Sequence, residues 1–136
     1  MDQVIVHAEA EVNPTESEDK VKTAVANLIG NALVTVKQEG KISFLTAEAK
    51  GQDSLAKFRN LLRNDRIRDA ARRALLHSVR GATISFCLNK QVAFSGHISF
   101  SEESAESPLG PIRITITAEN PRQLIDWLAE KTERQG

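Results

Sequence analysis

Apolar and polar residues alternate with a period of two in several separate stretches, and this alternation limits the folds open to the chain. In residues 3–12, valine and alanine take every second position from Val4 to Val12, with glutamate and histidine among the residues between them. Side chains of a β-strand point alternately to its two faces, so such a stretch buries one face and exposes the other. The chain therefore predicts a sheet with one face against a core and the other face open.

Strand and helix signals follow one another in the order β-α-β-β-α-α-β-β-β-α. The predicted strands are Gln3–Val12, Leu33–Lys37, Lys41–Lys50, the two arms of a hairpin (Ala82–Leu88 and Val92–Phe100) and Ile112–Ile116. The predicted helices are centred on the apolar stripes of Val21–Ile29, Leu55–Leu62, Ile67–Val79 and Leu124–Leu128. Hairpin connections favour a mostly antiparallel sheet, and helices on one of its faces make a two-layer α+β sandwich.

Short polar sequences indicate where the helices begin. Two capping arrangements fit the first helix: Asn13, which a proline follows, or Thr15 with Glu18 as a capping box. Asp65 is predicted to cap the third helix, and Asn120, again followed by proline, the last helix.

Size and composition fit one globular domain over residues 1–136, since 40% of the residues are hydrophobic and 26% are charged. No apolar run approaches the ~20 residues of a membrane helix. The chain does not open with a basic region and an apolar run, as a signal peptide would. Cys87 is the only cysteine, which excludes an internal disulfide and a cysteine-rich zinc site. We therefore expect a cytoplasmic protein without a membrane partner.

Charge is separated along the chain, although 18 basic and 18 acidic residues cancel in total. Residues 1–19 carry six carboxylates and no basic side chain, a net charge of −6. Residues 57–80 carry eight basic and two acidic side chains, a net charge of +6. This basic segment is the strongest functional signal in the sequence.

Arginines recur along the predicted third helix. Arg66, Arg73 and Arg80 are seven residues apart and lie opposite its apolar residues. Guanidinium groups bind phosphate oxygens through paired hydrogen bonds, and clustered bases release counterions from nucleic acid. The hypothesis is backbone contact with RNA, with Lys90 near the tip of the predicted hairpin. The residues predicted to bind RNA are Lys57, Arg59, Arg63, Arg66, Arg72, Arg73, Arg80 and Lys90.

A second interpretation of the arginines remains open. They could form the solvated side of an amphipathic helix, balanced by the acidic N-terminal segment of the same chain or of another chain. In that case the protein would be an interaction or assembly module, such as a homodimer, that binds no nucleic acid.

The open face of the sheet is the other candidate surface. Its predicted side chains are mostly small or polar, and they are His7, Thr83, Ser85, Cys87, Ser95, His97, Ser99, Arg113, Thr115 and Thr117. Such a face could contact a sugar-phosphate backbone, remain exposed to water or form a dimer contact. Four phenylalanines are predicted to face the core instead, and they are Phe44, Phe86, Phe94 and Phe100. We therefore expect no exposed aromatic pair that could stack bases.

Residues suited to catalysis or metal binding are few and not grouped by a motif. His7, His77 and His97 show no His-x-His or His-x-x-x-His spacing. Cys87 and His97 could supply a nucleophile and a base, but no acid is identifiable to orient the histidine. Phosphate-binding loops and nucleophile elbows are absent from the sequence. We expect no enzymatic activity, cofactor, metal or small-molecule substrate.

Five short motifs occur in order along nearly the whole chain: Asn13-Pro14-Thr15-Glu16, Asp69-Ala70-Ala71-Arg72, Leu88-Asn89-Lys90-Gln91, Ser107-Pro108-Leu109-Gly110-Pro111-Ile112 and Ile125-Asp126-Trp127-Leu128-Ala129. Together they resemble an uncharacterised archaeal family described as RNA-binding. The resemblance implies RNA as the partner and a two-layer fold like that of large-subunit ribosomal protein five, and it implies no catalytic residues. Members of the family have a proline after the last motif. This chain has Glu130 there, which predicts a longer last helix.

Overall fold

A computed structural model describes residues 3–101 and 110–130, so residues 107–109 of the fourth motif lie outside the described ranges. The strands are β1 (Ile5–Val12), β2 (Leu33–Glu39), β3 (Ile42–Lys50), β4 (Val79–Arg80), β5 (Thr83–Leu88), β6 (Phe100–Ser101) and β7 (Ile112–Thr117). The helices are α1 (Glu18–Leu28), α2 (Ala56–Asn64), α3 (Arg68–His77), α4 (Lys90–Phe94) and α5 (Pro121–Leu128). None of these helices is long and apolar enough to cross a membrane.

The strand pairings that the structure describes are all antiparallel, as the hairpin-rich order predicts. The order across the sheet is β2-β3-β1-β7-β5-β4, and β6 also pairs with β5. The first strand, β1, therefore lies inside the sheet, between β3 and β7. The predicted two-layer α+β sandwich with a mostly antiparallel sheet is confirmed.

One face of the sheet carries the apolar rows that the alternation predicts. Ile114 and Ile116 of β7 belong to one buried cluster with Leu28 of α1, Phe58 of α2 and Leu75 of α3. Burying each side chain of this size contributes about 1.5–3 kcal/mol. The helices thus cover a single face, and the side chains between the apolar rows form the open face.

The second arm of the predicted hairpin is not a strand. Most of its first half belongs to α4, and of its residues only Phe100 pairs with β5. The helix begins because the Asn89 side chain accepts a hydrogen bond from the Val92 backbone N–H at 2.9 Å. After the helix, Gly96 has a φ of +86°, a conformation that glycine adopts readily at helix ends. The strand prediction is wrong because these two residues frame a short helix within the alternating pattern.

The helix caps follow the predictions only in part. Ser17, and not Asn13 or Thr15, caps α1, since its hydroxyl accepts from the N–H three residues later at 3.3 Å. Asp65 does not cap α3, because Ile67 takes that position without a side-chain hydrogen bond. The Asn120 cap of α5 is confirmed, with a hydrogen bond of 3.1 Å to its side chain.

Lys90 is buried at the start of α4, with 5% of its side chain exposed. Its ammonium donates to the carbonyl oxygen of Glu11 at 2.7 Å and to both carboxylate oxygens of Glu16 at 3.0 and 3.1 Å. Asn13 donates its backbone N–H and side-chain amide to the same carboxylate, at 3.0 and 2.9 Å. These four residues form the Lys90 network, which joins α4 to the end of β1. The predicted position of Lys90 near a hairpin tip is therefore wrong.

The Lys90 network changes the titration of Glu16. Burial acts to raise the pKa of its carboxyl, but hydrogen bonds from Asn13 and Lys90 outweigh burial and hold that pKa below its usual value. A carboxyl with a lowered pKa in the folded state stabilises the fold above its unfolded pKa. That contribution is lost as the pH falls through the folded pKa.

We expect the stabilising contribution of Glu16 to be lost as the pH falls below about 4.5, the ordinary pKa of its carboxyl. The free energy of unfolding, from urea titrations followed by circular dichroism, should fall over this range in the natural chain. It should fall less in E16Q, because glutamine has no carboxyl to titrate. E39Q changes an exposed glutamate of β2 and should keep the natural pH dependence. If the free energy of unfolding of E16Q changed with pH as it does in the natural chain, Glu16 would not be the source of the pH dependence.

Candidate nucleic-acid interface

The basic segment folds into α2, the joint after it, α3 and β4, and its arginines fall into two groups. The half-buried group, here called the inner arginines, has 23%, 28% and 24% of each side chain exposed and consists of Arg59, Arg68 and Arg72. The exposed group, here called the outer arginines, consists of Arg63, Arg66, Arg73 and Arg80.

The inner arginines bind the C-terminal end of α5. Arg59 donates its Nε–H to the carbonyl oxygen of Trp127 at 2.8 Å, and its guanidinium lies 5.1 Å from the centre of the Trp127 ring. Arg72 donates to the carbonyl oxygen of Ala129 at 3.2 Å and pairs with the Asp126 carboxylate at 2.6 Å. The last carbonyls of a helix lack partners inside the helix, so these guanidinium groups cap α5.

Glu130 completes the contact between α5 and the inner arginines. Its Oε1 lies 3.4 Å from Arg59 Nη2 and 3.5 Å from Arg68 Nη1. Because α5 ends at Leu128, the predicted extension of the last helix is wrong. In the part of the chain that the structure describes, the carboxylates that balance the inner arginines are Asp126 of α5 and Glu130 just after it, and they do not come from the N-terminal segment.

The outer arginines have no carboxylate partner within residues 3–101 and 110–130. Arg63, Arg66 and Arg73 make no side-chain hydrogen bond or ion pair in these ranges. Arg80 donates only to the backbone carbonyls of His77 and Val79, at 3.1 and 2.8 Å. The guanidinium charges of this group are therefore not neutralised by the described protein.

Three of the outer arginines lie on the solvent side of α2, of the joint and of α3. Arg63 lies in the last turn of α2, and the backbone N–H of Arg66 donates to its carbonyl oxygen at 3.2 Å in the joint before α3. Arg73 lies on α3, on the side opposite the buried Ala71 and Leu75. The basic surface thus continues from α2 across the joint to α3.

The seven-residue row of arginines does not occupy one helix. α3 spans Arg68–His77, so Arg66 precedes it and Arg80 lies beyond it in β4. Arg66 has a φ of +59°, in the left-handed region that interrupts a helix. The prediction that Arg66, Arg73 and Arg80 share one helix is wrong for this reason.

Lys57 adds to the outer charge from the first turn of α2. It is exposed, and its ammonium donates to the carbonyl oxygen of Ala26 at 2.9 Å, near the C-terminal end of α1. Over residues 57–80 and 126–130, eight basic side chains stand against four carboxylates, a net charge of +4. Contacts with α5 therefore reduce the positive charge of the basic segment without removing it.

Most residues predicted for the open face are on it. Cross-strand register confirms His7, Thr83, Ser85, Cys87, Arg113, Thr115 and Thr117. The predicted members that lie outside the sheet are Ser95, His97 and Ser99. They are misplaced because α4 and the loop after it replace the strand that would have carried them.

The centre of the open face is rich in carboxylates. His7 Nε2 lies 3.7 Å from Glu9, and His7 Nδ1 lies 3.8 Å from Glu48. Arg113 pairs with Glu9 at 3.2 Å. Exposed carboxylates repel phosphate groups, so this face is less suited to a nucleic-acid backbone than the outer arginines.

Two phenylalanines predicted in the core are exposed. Phe44 on the open face has 37% of its surface exposed, and Phe94 at the end of α4 has 43%. Phe86 is buried, and its ring centre lies 5.7 Å from that of Phe58. Because the exposed rings lie on opposite layers, they do not form a pair that could stack bases together.

Asp65 joins the loop after α4 to the joint between α2 and α3. His97 donates its Nδ1–H to one carboxylate oxygen at 2.9 Å, and the Ile98 N–H donates to the other at 3.2 Å. The hydrogen bond from His97, against the opposing effect of burial, lowers the pKa of the Asp65 carboxyl. His97 is thus in the helix layer, whereas Cys87 lies in the sheet. The described residues contain no His, Cys, Asp and Glu cluster that could hold a metal ion.

Similarity to known proteins identifies the family. A protein-family model described as RNA binding matches residues 5–118. The chain belongs to this RNA-binding family. A UPF0201 protein of Sulfolobus acidocaldarius is 44% identical over 134 residues, which are 98% of this chain and 91% of that protein. Another, of Saccharolobus solfataricus, is 43% identical over 123 residues, which are 90% of this chain and 85% of that protein. The resemblance to an archaeal RNA-binding family is confirmed.

Solved structures of similar proteins show the same fold. A UPF0201 protein from Methanococcus jannaschii has a TM-score of 0.83 and 30% sequence identity, over 92% of this chain and 98% of that chain. A DUF54 protein from Methanothermobacter thermautotrophicus has a TM-score of 0.57 and 16% identity, over 90% of this chain and 93% of that chain. The second likeness extends to the fold alone.

Proposed function

We propose that the protein binds RNA through its outer arginines, by charge and shape and without catalysis. One observation carries this proposal: four exposed arginines in a member of the RNA-binding family have no carboxylate partner among residues 3–101 and 110–130. Arg63, Arg66 and Arg73 can each donate two hydrogen bonds to a phosphate without first breaking a contact. Arg80 keeps its Nη2 for a phosphate while its Nη1 binds backbone carbonyls.

The inner arginines act in this proposal as supports. Arg59 and Arg72 bind α5 through backbone carbonyls, so they hold α2 and α3 against a third helix. Rigid elements place binding groups more accurately than loops do. The fixed helices would then present Arg63 and Arg73 in a constant arrangement to the phosphates of an RNA.

The proposed interface differs from the set predicted from sequence. The residues that it keeps as phosphate contacts are Lys57, Arg63, Arg66, Arg73 and Arg80. Arg59 and Arg72 become supports. Lys90 is left out, because its buried ammonium is already held by Glu16 and the Glu11 carbonyl.

Salt dependence tests the proposal, because contacts with phosphates release bound counterions. With four or five contacts, a plot of log affinity against log salt should have a slope of about −3 for single-stranded RNA and about −4 for a duplex. Fluorescence anisotropy of a labelled RNA, measured at several potassium chloride concentrations, gives this slope. A DNA duplex of the same sequence shows whether RNA is preferred. Absence of binding at low salt, or an affinity that salt does not change, would contradict the proposal.

A further inference from the structure

A groove on the helix layer lies between α1 and α4, apart from the outer arginines. Its volume is about 490 Å³, within the usual range of small-ligand pockets of about 300–1,000 Å³. The side chains along it that matter for binding are Thr15, Ser17, Lys20, Gln91, Phe94 and Ser95. The groove thus combines one aromatic ring with several hydrogen-bonding groups and an ammonium group.

Phe94 presents its ring in this groove from a fixed position. The side-chain amide of Asn27 on α1 donates to the carbonyl oxygens of Ala93 and Phe94, at 2.9 and 3.3 Å. These bonds hold the end of α4 against α1 while 43% of Phe94 stays exposed. The Lys20 ammonium lies 5.7 Å from the centre of the ring.

The charge of the groove favours an anionic aromatic ligand. Glu16 in its floor is paired with Lys90, and Glu18 beside it is paired with Lys22 at 3.2 Å. Lys20 has no carboxylate partner in the described part of the chain. The Lys20 ammonium covers one face of the Phe94 ring, so a nucleobase would stack on the part of the ring that stays exposed while the ammonium binds a phosphate.

The groove is linked to the basic surface around the end of α1. Asn27, which binds Phe94, follows Ala26, whose carbonyl oxygen binds Lys57 of α2. Lys57 and Arg63 lie on the same helix, six residues and about 9 Å apart along its axis. Lys57 and Phe94 are therefore both held at the C-terminal end of α1, by Ala26 and by Asn27.

We propose that Phe94 and Lys20 form a site for one unpaired nucleobase of the bound RNA and its phosphate. This inference rests on the RNA binding proposed above. Stacking on an aromatic side chain requires an exposed base face, so the site would favour single-stranded RNA over a full duplex. Gln91 and Ser95 would supply hydrogen bonds to the edge of the base.

The test compares ring removal at two exposed phenylalanines. F94A should weaken binding of a single-stranded RNA about tenfold and leave binding of a fully paired duplex unchanged, since one stacked base is lost. F94Y keeps a ring and should bind like the natural chain. F44A removes the ring on the open face and should have no effect. If F94A fails to fold, F94L, which keeps an apolar side chain without a ring, replaces it.

The outcomes separate this site from the outer arginines. Natural affinity of both F94A and F94L for single-stranded RNA would overturn the site and leave the arginine surface standing. An equal loss of affinity for single-stranded RNA and for duplex would also overturn it. A duplex has no unpaired base to stack on Phe94, so removing the ring should not weaken duplex binding. Adenosine monophosphate that competes as well as the RNA strand would show a free nucleotide site instead. Failure of the natural chain to bind any RNA would overturn both proposals.

Discussion

Replacing Lys90 with methionine should lower the free energy of unfolding by about 3–5 kcal/mol, because it leaves a buried carboxylate without its counter-ion. Glu16 has only 10% of its side chain exposed, and Lys90 supplies its ion pair. The carbonyl of Glu11 would lose its hydrogen bond as well. Urea unfolding at neutral pH, followed by circular dichroism, measures the change.

Two further variants make the Lys90 experiment specific. K41M removes an exposed lysine in the turn between β2 and β3 and should change stability by less than about 0.5 kcal/mol. The double variant K90M/E16Q removes both charges and should recover part of the loss, because no uncompensated charge remains buried. A K90M variant within about 1 kcal/mol of the natural chain would show that the pair contributes no more than a surface ion pair.

Reversing two outer arginines should reduce the affinity for RNA by at least about 100-fold at fixed salt. The variant R63E/R73E removes two charged hydrogen-bond donors, each contributing about 1.5–3 kcal/mol. It also places two carboxylates where phosphates would bind. Fluorescence anisotropy with the RNA used for the salt series measures the loss.

The matched control for this reversal is K37E/K41E, which changes the net charge equally. Both lysines are exposed and lie on or beside the β2–β3 hairpin, away from α2 and α3. This variant should keep its affinity within a few-fold of the natural chain, since distant exposed charges are screened by salt. Equal losses in the two variants would mean that total charge, and not the outer arginines, determines binding.

Local pattern was enough to predict most of the sheet. Alternation in β1 and β7 identified their buried rows, because a strand repeats every two residues and both strands lie inside the sheet. After β5 the alternation predicted a strand, but the structure has α4. Apolar residues at every second position do not exclude a helix of only five residues. Asn89 and Gly96, seven residues apart, were the signal for α4, since one caps a helix start and the other suits its end.

Contacts between residues distant in sequence determine which basic side chains are paired, and the local pattern does not show these contacts. Arg59 and Arg63 are equivalent in a local pattern, yet only Arg59 contacts Trp127 and Glu130, which are 68 and 71 residues away in sequence. The burial of Lys90 could not be predicted for the same reason, because its partner Glu16 is 74 residues away. A charge spread over residues 57–80 could be predicted, but its division into inner and outer arginines required α5 to be placed.

The position of β1 has a consequence for how the domain is made. Ile5 pairs with Thr117, and the ion pair between Glu9 and Arg113 closes a separation of 104 residues. Bringing such distant segments together lowers the chain entropy before the contacts contribute favourable free energy. This order of events slows folding. A ribosome must synthesise β7 before β1 gains its second neighbour, so the interior of the sheet cannot be completed until β7 has been translated.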